Sequence, residues 1–76
     1  MENIEKRFGR ILRRLREEKG FTQEQFAHHV NIDRSYYGQI ERGEVAITIA
    51  KLESLASGLE MQLSQIFGSL EKKEVQ

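Results

Sequence analysis

The sequence predicts an all-α domain of five short helices, and three features carry that prediction. Proline is absent. Apolar residues recur at three- and four-residue spacing, the period of one helix face. Single Thr or Asp residues precede these segments and single Gly or Asn residues follow them, as helix starts and stops require.

The first helix is expected over 3–19, where Phe8, Leu12 and Leu15 share a face. Gly20 stands where a left-handed stop is wanted, and Phe21 follows as the apolar residue that packs back on the last turn. Thr22 opens a second helix, and Gln25, three residues on, completes a capping box. Phe26, Ala27 and Val30 form its inward face. Asn31 tolerates the left-handed conformation and so permits a sharp turn. Ile32 pins that turn, and Asp33 caps a third helix over 34–42, with Tyr37 and Ile40 inward and Tyr36 left outside. Gly43 ends it. Thr48 caps a fourth helix over 49–57 that buries Ile49, Leu52, Leu55 and Ala56. Gly58 is expected to break that helix, and Leu59 and Met61 to anchor the link to a fifth over 63–70. The charged stretch 71–76 reads as a frayed end. One domain over 1–76, with its core in 4–70, accounts for the whole sequence.

At 76 residues the chain is near the lower size at which one core suffices without staples. It has no cysteine, which excludes disulfides and Cys-based zinc sites and fits a cytoplasmic protein. No apolar run approaches the roughly 20 residues of a membrane span, and the first residues lack the basic and apolar pattern of a signal peptide. No paired-carboxylate cleft, glycine-rich phosphate loop or Ser/His/Asp set is evident, so neither an enzyme nor a cofactor or small-molecule site is expected. His28 and His29 are adjacent and diverge by about 100° on a helix. They read as solvent residues rather than metal ligands.

The formal net charge is zero, but its distribution is uneven. Residues 6–42 hold nine basic and five acidic side chains, and the flanking segments are acidic. Such asymmetry can conceal a phosphate-facing surface, or can simply solvate the first helix. The second and third helices, joined by a turn of three or four residues, suggest a unit that lays its second helix in the DNA major groove. Any small bundle can contain the same unit, so the residues on its outer face must decide.

The stretch 8–67 resembles the Xre/Cro family of phage-repressor-like DNA-binding domains. The resemblance rests on Phe8-Gly9, Leu12, Leu15-Arg16, the run from Lys19 to Ala27, Ile40-Glu41-Arg42-Gly43, Thr48-Ile49 and the run from Leu63 to Phe67. Ile32-Asp33-Arg34-Ser35-Tyr36-Tyr37 with Ile40-Glu41-Arg42 is similar, more narrowly, to the controller proteins of restriction–modification systems. This resemblance implies a five-helix fold with a helix-turn-helix formed by the second and third helices. It further implies that Gln23 meets phosphate, that Arg34, Ser35, Tyr36 and Gln39 face the groove, and that Arg42 grips the backbone. The chemistry suits those roles: Arg pairs bidentately with guanine, Gln with adenine, and Tyr meets phosphate or a thymine methyl. Arg10 and Arg13 are weaker phosphate candidates, as readily explained as solvent charges. Arg16 and Glu41 match a family ion pair tying the first helix to the third. Three departures stand out. Glu44-Val45-Ala46 carries no cation where many relatives place one, Gly38 lies in the middle of the third helix, and Gln62 precedes the fifth where a Ser or Asp cap is usual.

A single recognition helix makes few base contacts, so a twofold homodimer spanning a (pseudo)palindromic operator in double-stranded DNA is expected. Met61, Leu63, Ile66, Phe67 and Leu70, with the end of the fourth helix, are the expected interface, since they outnumber what one short helix needs for the core. The function so read is a sequence-specific transcriptional regulator of the restriction–modification controller kind. The alternatives are a phage-type repressor or antitoxin, or a protein-interaction module on the same scaffold that has lost DNA binding.

Overall fold

Every expected helix start is made by the local chemistry that its sequence allows. The computed structural model describes residues 2–71. They form α1 (Ile4–Glu18), α2 (Gln23–His29), α3 (Arg34–Glu41), α4 (Ile49–Gly58) and α5 (Leu63–Glu71), with no strand among the described residues. The side chains of Asn3, Thr22, Asp33 and Thr48 each accept a hydrogen bond from the backbone N–H three residues on. Each thereby satisfies one of the amide groups that a helix start leaves without an intrahelical partner. Thr22 and Gln25 form a reciprocal capping box. Gln62 precedes α5, and its backbone N–H is taken by the Gln65 side chain at 2.8 Å, half of the same device.

The helix ends follow one rule. After α1, the Gly20 N–H reaches the Glu17 carbonyl at 3.0 Å and the Phe21 N–H reaches that of Arg16 at 3.2 Å. This is the paired closure made around a left-handed residue. The same pair of bonds follows α2 around Asn31, α3 around Gly43 and α4 around Glu60. Each returns the chain toward the core, and Phe21, Ile32 and Met61 then pack there.

That core is one cluster. Phe26, Tyr37, Leu12, Ile40, Leu55, Leu59 and Ile66 are fully buried within it. Helix α1 packs on α3 and α5, α2 on α3, and α4 on α5. Two close approaches dictate glycine. A Cβ on Gly9 would lie 2.2 Å from the Glu41 carbonyl oxygen, so the absent side chain lets α1 touch the backbone of α3. A Cβ on Gly58 would lie 2.2 Å from the Val30 side chain, at the approach of α4 to the end of α2. No described helix is long and apolar enough to cross a membrane.

Several expectations need correction. Gly58 does not break α4 but is its last residue, and the left-handed stop falls on Glu60, at φ 58°. Packing against Val30, rather than the turn, explains that glycine. Ile49 is 78% exposed, because Ile47 already packs against the core at that end and Ile49 and Ala50 face solvent ahead of the buried Leu52. Val30 is half-buried rather than buried. Tyr36, expected outside, is half-buried and packs against the core. His29 is no simple solvent residue: its ring stacks on Phe21 with centroids 4.9 Å apart, and Nε2 lies 3.2 Å from the Gly58 carbonyl oxygen. Glu71 belongs to α5, and the remainder of the expected frayed end, 72–76, lies outside the described residues.

Candidate nucleic-acid interface

The position of α3 is set from beneath by a buried carboxylate. Glu41 ends that helix with its side chain 3% exposed. Its Oε2 accepts from Arg16 Nε at 2.7 Å and from the Tyr37 hydroxyl at 2.5 Å. Its Oε1 accepts from Arg16 Nη2 at 3.2 Å and from Gln23 Nε2 at 3.0 Å. Arg16 Nη1 donates in turn to the Phe21 carbonyl at 2.7 Å, in the turn between α1 and α2. One carboxylate thus ties α1, α2 and α3 together. Burial alone pushes the Glu41 carboxyl up, but the hydrogen bonds from Arg16, Gln23 and Tyr37 outweigh it and hold the group below its ordinary 4.5. The Tyr37 hydroxyl is pushed well above its usual 10.0, by burial first and then by its bond to Glu41. The expected Arg16–Glu41 tie is present, and the Arg16 guanidinium is engaged inside the domain through all three of its nitrogens.

The outer face of α3 presents a different set. Arg34, Ser35 and Arg42 are exposed, while Tyr36 and Gln39 are half-buried. Arg34 is the first residue of α3, the end whose partial positive charge disfavours a cation. Among the described residues its side chain has no ion pair and no hydrogen bond. A cation in that place gains nothing from the helix dipole and is open to an external anion or acceptor. Arg42, at the far end, makes a two-pronged contact with Glu44, Nε to Oε2 at 2.9 Å and Nη2 to Oε1 at 3.3 Å.

The Gln23 amide nitrogen donates one hydrogen bond to Glu41 at 3.0 Å, so the side chain also braces α2 against α3, a role beyond the phosphate contact expected of it. At Gly38 a Cβ would lie 3.0 Å from Arg42 Nη1, the flexible tip of that side chain, and at an ordinary 3.7 Å from Gln23 Oε1, so packing does not dictate this glycine. Arg10 pairs with Glu2, and Arg13 bonds Glu17 at 3.2 Å along α1, as solvent charges do. Sequence reasoning missed the roles of Tyr37 and Gln23 in the Glu41 cluster. The i,i+4 spacing of Tyr37 and Glu41 was the available signal for one of them.

A helix-turn-helix family model matches residues 12–66. Control protein C.MunI from Mycoplasma sp is 40% identical over 74 residues, spanning 96% of this chain and 100% of the relative. The wild-type restriction–modification controller protein C.Esp1396I superposes with a TM-score of 0.84 at 32% identity, covering 97% of this chain and 100% of that one. The structure of C.Esp1396I bound to a 19 base pair DNA duplex superposes with a TM-score of 0.83 at 35% identity, covering 91% and 92%.

The Glu41 cluster gives stability a defined pH dependence. A carboxyl lowered on folding stabilises fully above its unfolded value and loses that contribution as pH falls through the folded one. A tyrosine raised on folding stabilises fully below its unfolded value and loses the contribution as pH rises toward the folded one. Urea unfolding should therefore show stability falling below about pH 4.5 more steeply in the wild type than in Glu41→Gln, and falling again above about pH 10. Parallel acid limbs in the two proteins would show that Glu41 is not stabilised as a carboxylate.

Proposed function

The chain belongs to the Xre/Cro-like helix-turn-helix family, and on that footing we propose that it is a sequence-specific DNA-binding transcriptional regulator of the restriction–modification controller kind. It binds a (pseudo)palindromic operator as a homodimer and acts in the cytoplasm, where that DNA lies. The observation that carries this reading is the cation Arg34, exposed at the start of a rigidly braced α3 and unengaged among the described residues. In the major groove Arg34, with Ser35 and Gln39, reads base edges, while Tyr36 and Arg42 meet the backbone. Gln23 acts from behind, holding α2 to the network that fixes α3.

The dimer rests on the carboxyl-terminal helices. Phe67 is 45% exposed on α5, which packs against α4. Burying such apolar area yields roughly 25 cal/mol per Å². Met61, Leu63 and Leu70 are half-buried and can lend their outer edges. Ile66 must be withdrawn from the expected interface, since it is 1% exposed and belongs to the core. Along α5 it faces inward, and Phe67, one residue on, is turned about 100° away.

Selection of bound duplexes from a random pool should return inverted half-sites with centres about 34 Å apart. Arg34→Ala should weaken the preferred site by about 1–3 kcal/mol and relax one base position in each half. Base preferences unchanged by Arg34→Ala would remove α3 from recognition.

Phe67→Glu should convert a dimer seen by sedimentation equilibrium at micromolar concentration into a monomer that retains its helical spectrum. A wild-type monomer, or a variant that still dimerises, would place the interface elsewhere or abolish it.

A further inference from the structure

The exposed end of α3 carries its own anion. Arg42 and Glu44 are both solvent-exposed, yet their side chains meet in the parallel two-bond geometry that arginine also uses for phosphate. The turn enforces their proximity. Gly43 is left-handed at φ 73°, and the Glu44 N–H closes on the Gln39 carbonyl at 2.9 Å, which folds Glu44 back beside the end of α3. A second cation adjoins the turn, for a Cβ on Gly43 would lie 2.6 Å from the Lys6 Cα. The Glu44 carboxyl is accordingly held below its ordinary 4.5, chiefly by the hydrogen bond from Arg42 and further by the charges of Arg42 and Lys6.

The orientation of the guanidinium matters. Its Nε–Nη2 edge is taken by Glu44, while Nη1 lies at the Gly38 gap against α3. A phosphate approaching Arg42 would therefore meet a neutralised fork with a carboxylate already seated in it. We propose that Glu44 is a built-in stand-in for phosphate, which occupies Arg42 in the free protein and must be displaced when the DNA backbone arrives. This rests on the reading of Arg42 as a backbone contact. Displacement costs the same on every sequence, so Glu44 lowers affinity for all DNA and leaves base preference alone. It also reduces the number of counterions released, because a carboxylate is returned to solvent as the phosphate is taken up.

Fluorescence anisotropy with a labelled random-sequence duplex of about 20 base pairs, across a salt series, tests this with Glu44→Gln, Arg42→Ala and the double variant. Arg42→Ala should weaken binding. Glu44→Gln should strengthen it by about three- to fivefold, the scale of an exposed ion pair. Its plot of log affinity against log salt should steepen by up to about one unit. In the Arg42→Ala background Glu44→Gln should change little. If Arg42→Ala has no effect, Arg42 does not contact DNA and both readings fall. If Arg42→Ala weakens binding while Glu44→Gln matches or weakens the wild type, Arg42 remains a DNA contact but Glu44 does not mask it. An equal gain from Glu44→Gln in both backgrounds would make Glu44 a simple repelling charge, and would likewise overturn the proposal.

Discussion

The Glu41 carboxylate is the constraint on which the rest of this small structure depends. A charge buried in so small a domain costs several kcal/mol unless nearly every lone pair finds a donor. Here four donors converge on it, from Arg16, Tyr37 and Gln23, and no described buried side-chain polar atom is left without a partner. The donors come from three helices, so meeting the electrostatic demand also fixes how those helices sit together. Hydrophobic burial alone would tolerate small slides of α3 over α1. A set of bonds with fixed directions does not. The outer face of α3 inherits that rigidity.

Close backbone approach works to the same end. Gly9 brings α1 onto the backbone carbonyl of Glu41, the same residue whose side chain α1 also holds through Arg16. Electrostatic and steric constraints thus act on the same turn. The chain between helices is equally fixed, because each of the first four helices ends in a left-handed residue with paired backbone bonds. The turn between α2 and α3 is built this way around Asn31 and then capped at once by Asp33. Its geometry is thus fixed by backbone bonds, the Asp33 cap and the packing of Ile32 in the core.

Much of this was legible in the sequence. Caps at Thr22, Asp33 and Thr48, and stops at Gly20, Asn31 and Gly43, are decided by neighbouring atoms and could be read locally. The misread positions depend on partners far along the chain. Gly58 looks like a stop until Val30 is seen against it, and Ile49 looks buried until Ile47 is seen closing the core. At the site, the exposed places of Arg34, Ser35 and Arg42 follow from helical phase. What could not be read was which of the polar residues face one another. Gln23 reads as a free amide in sequence and is a brace in space, and Arg42 is paired two residues on across a turn.

Unpaired and paired cations divide the surface accordingly. Arg13 and Arg14 on α1 are balanced by glutamates one turn away, Arg16 is spent inside, and Arg34 stands at a helix start, where the dipole disfavours a cation. That division depends on the Glu41 cluster acting as one unit. A double-mutant cycle on Arg16 and Glu41, read by urea unfolding at neutral pH, tests this most directly. Each alanine variant should lose about 3–5 kcal/mol by stranding a buried group, and the double variant little more than either alone. Losses that simply add would show that the two side chains act independently and that α3 is held in place by something else.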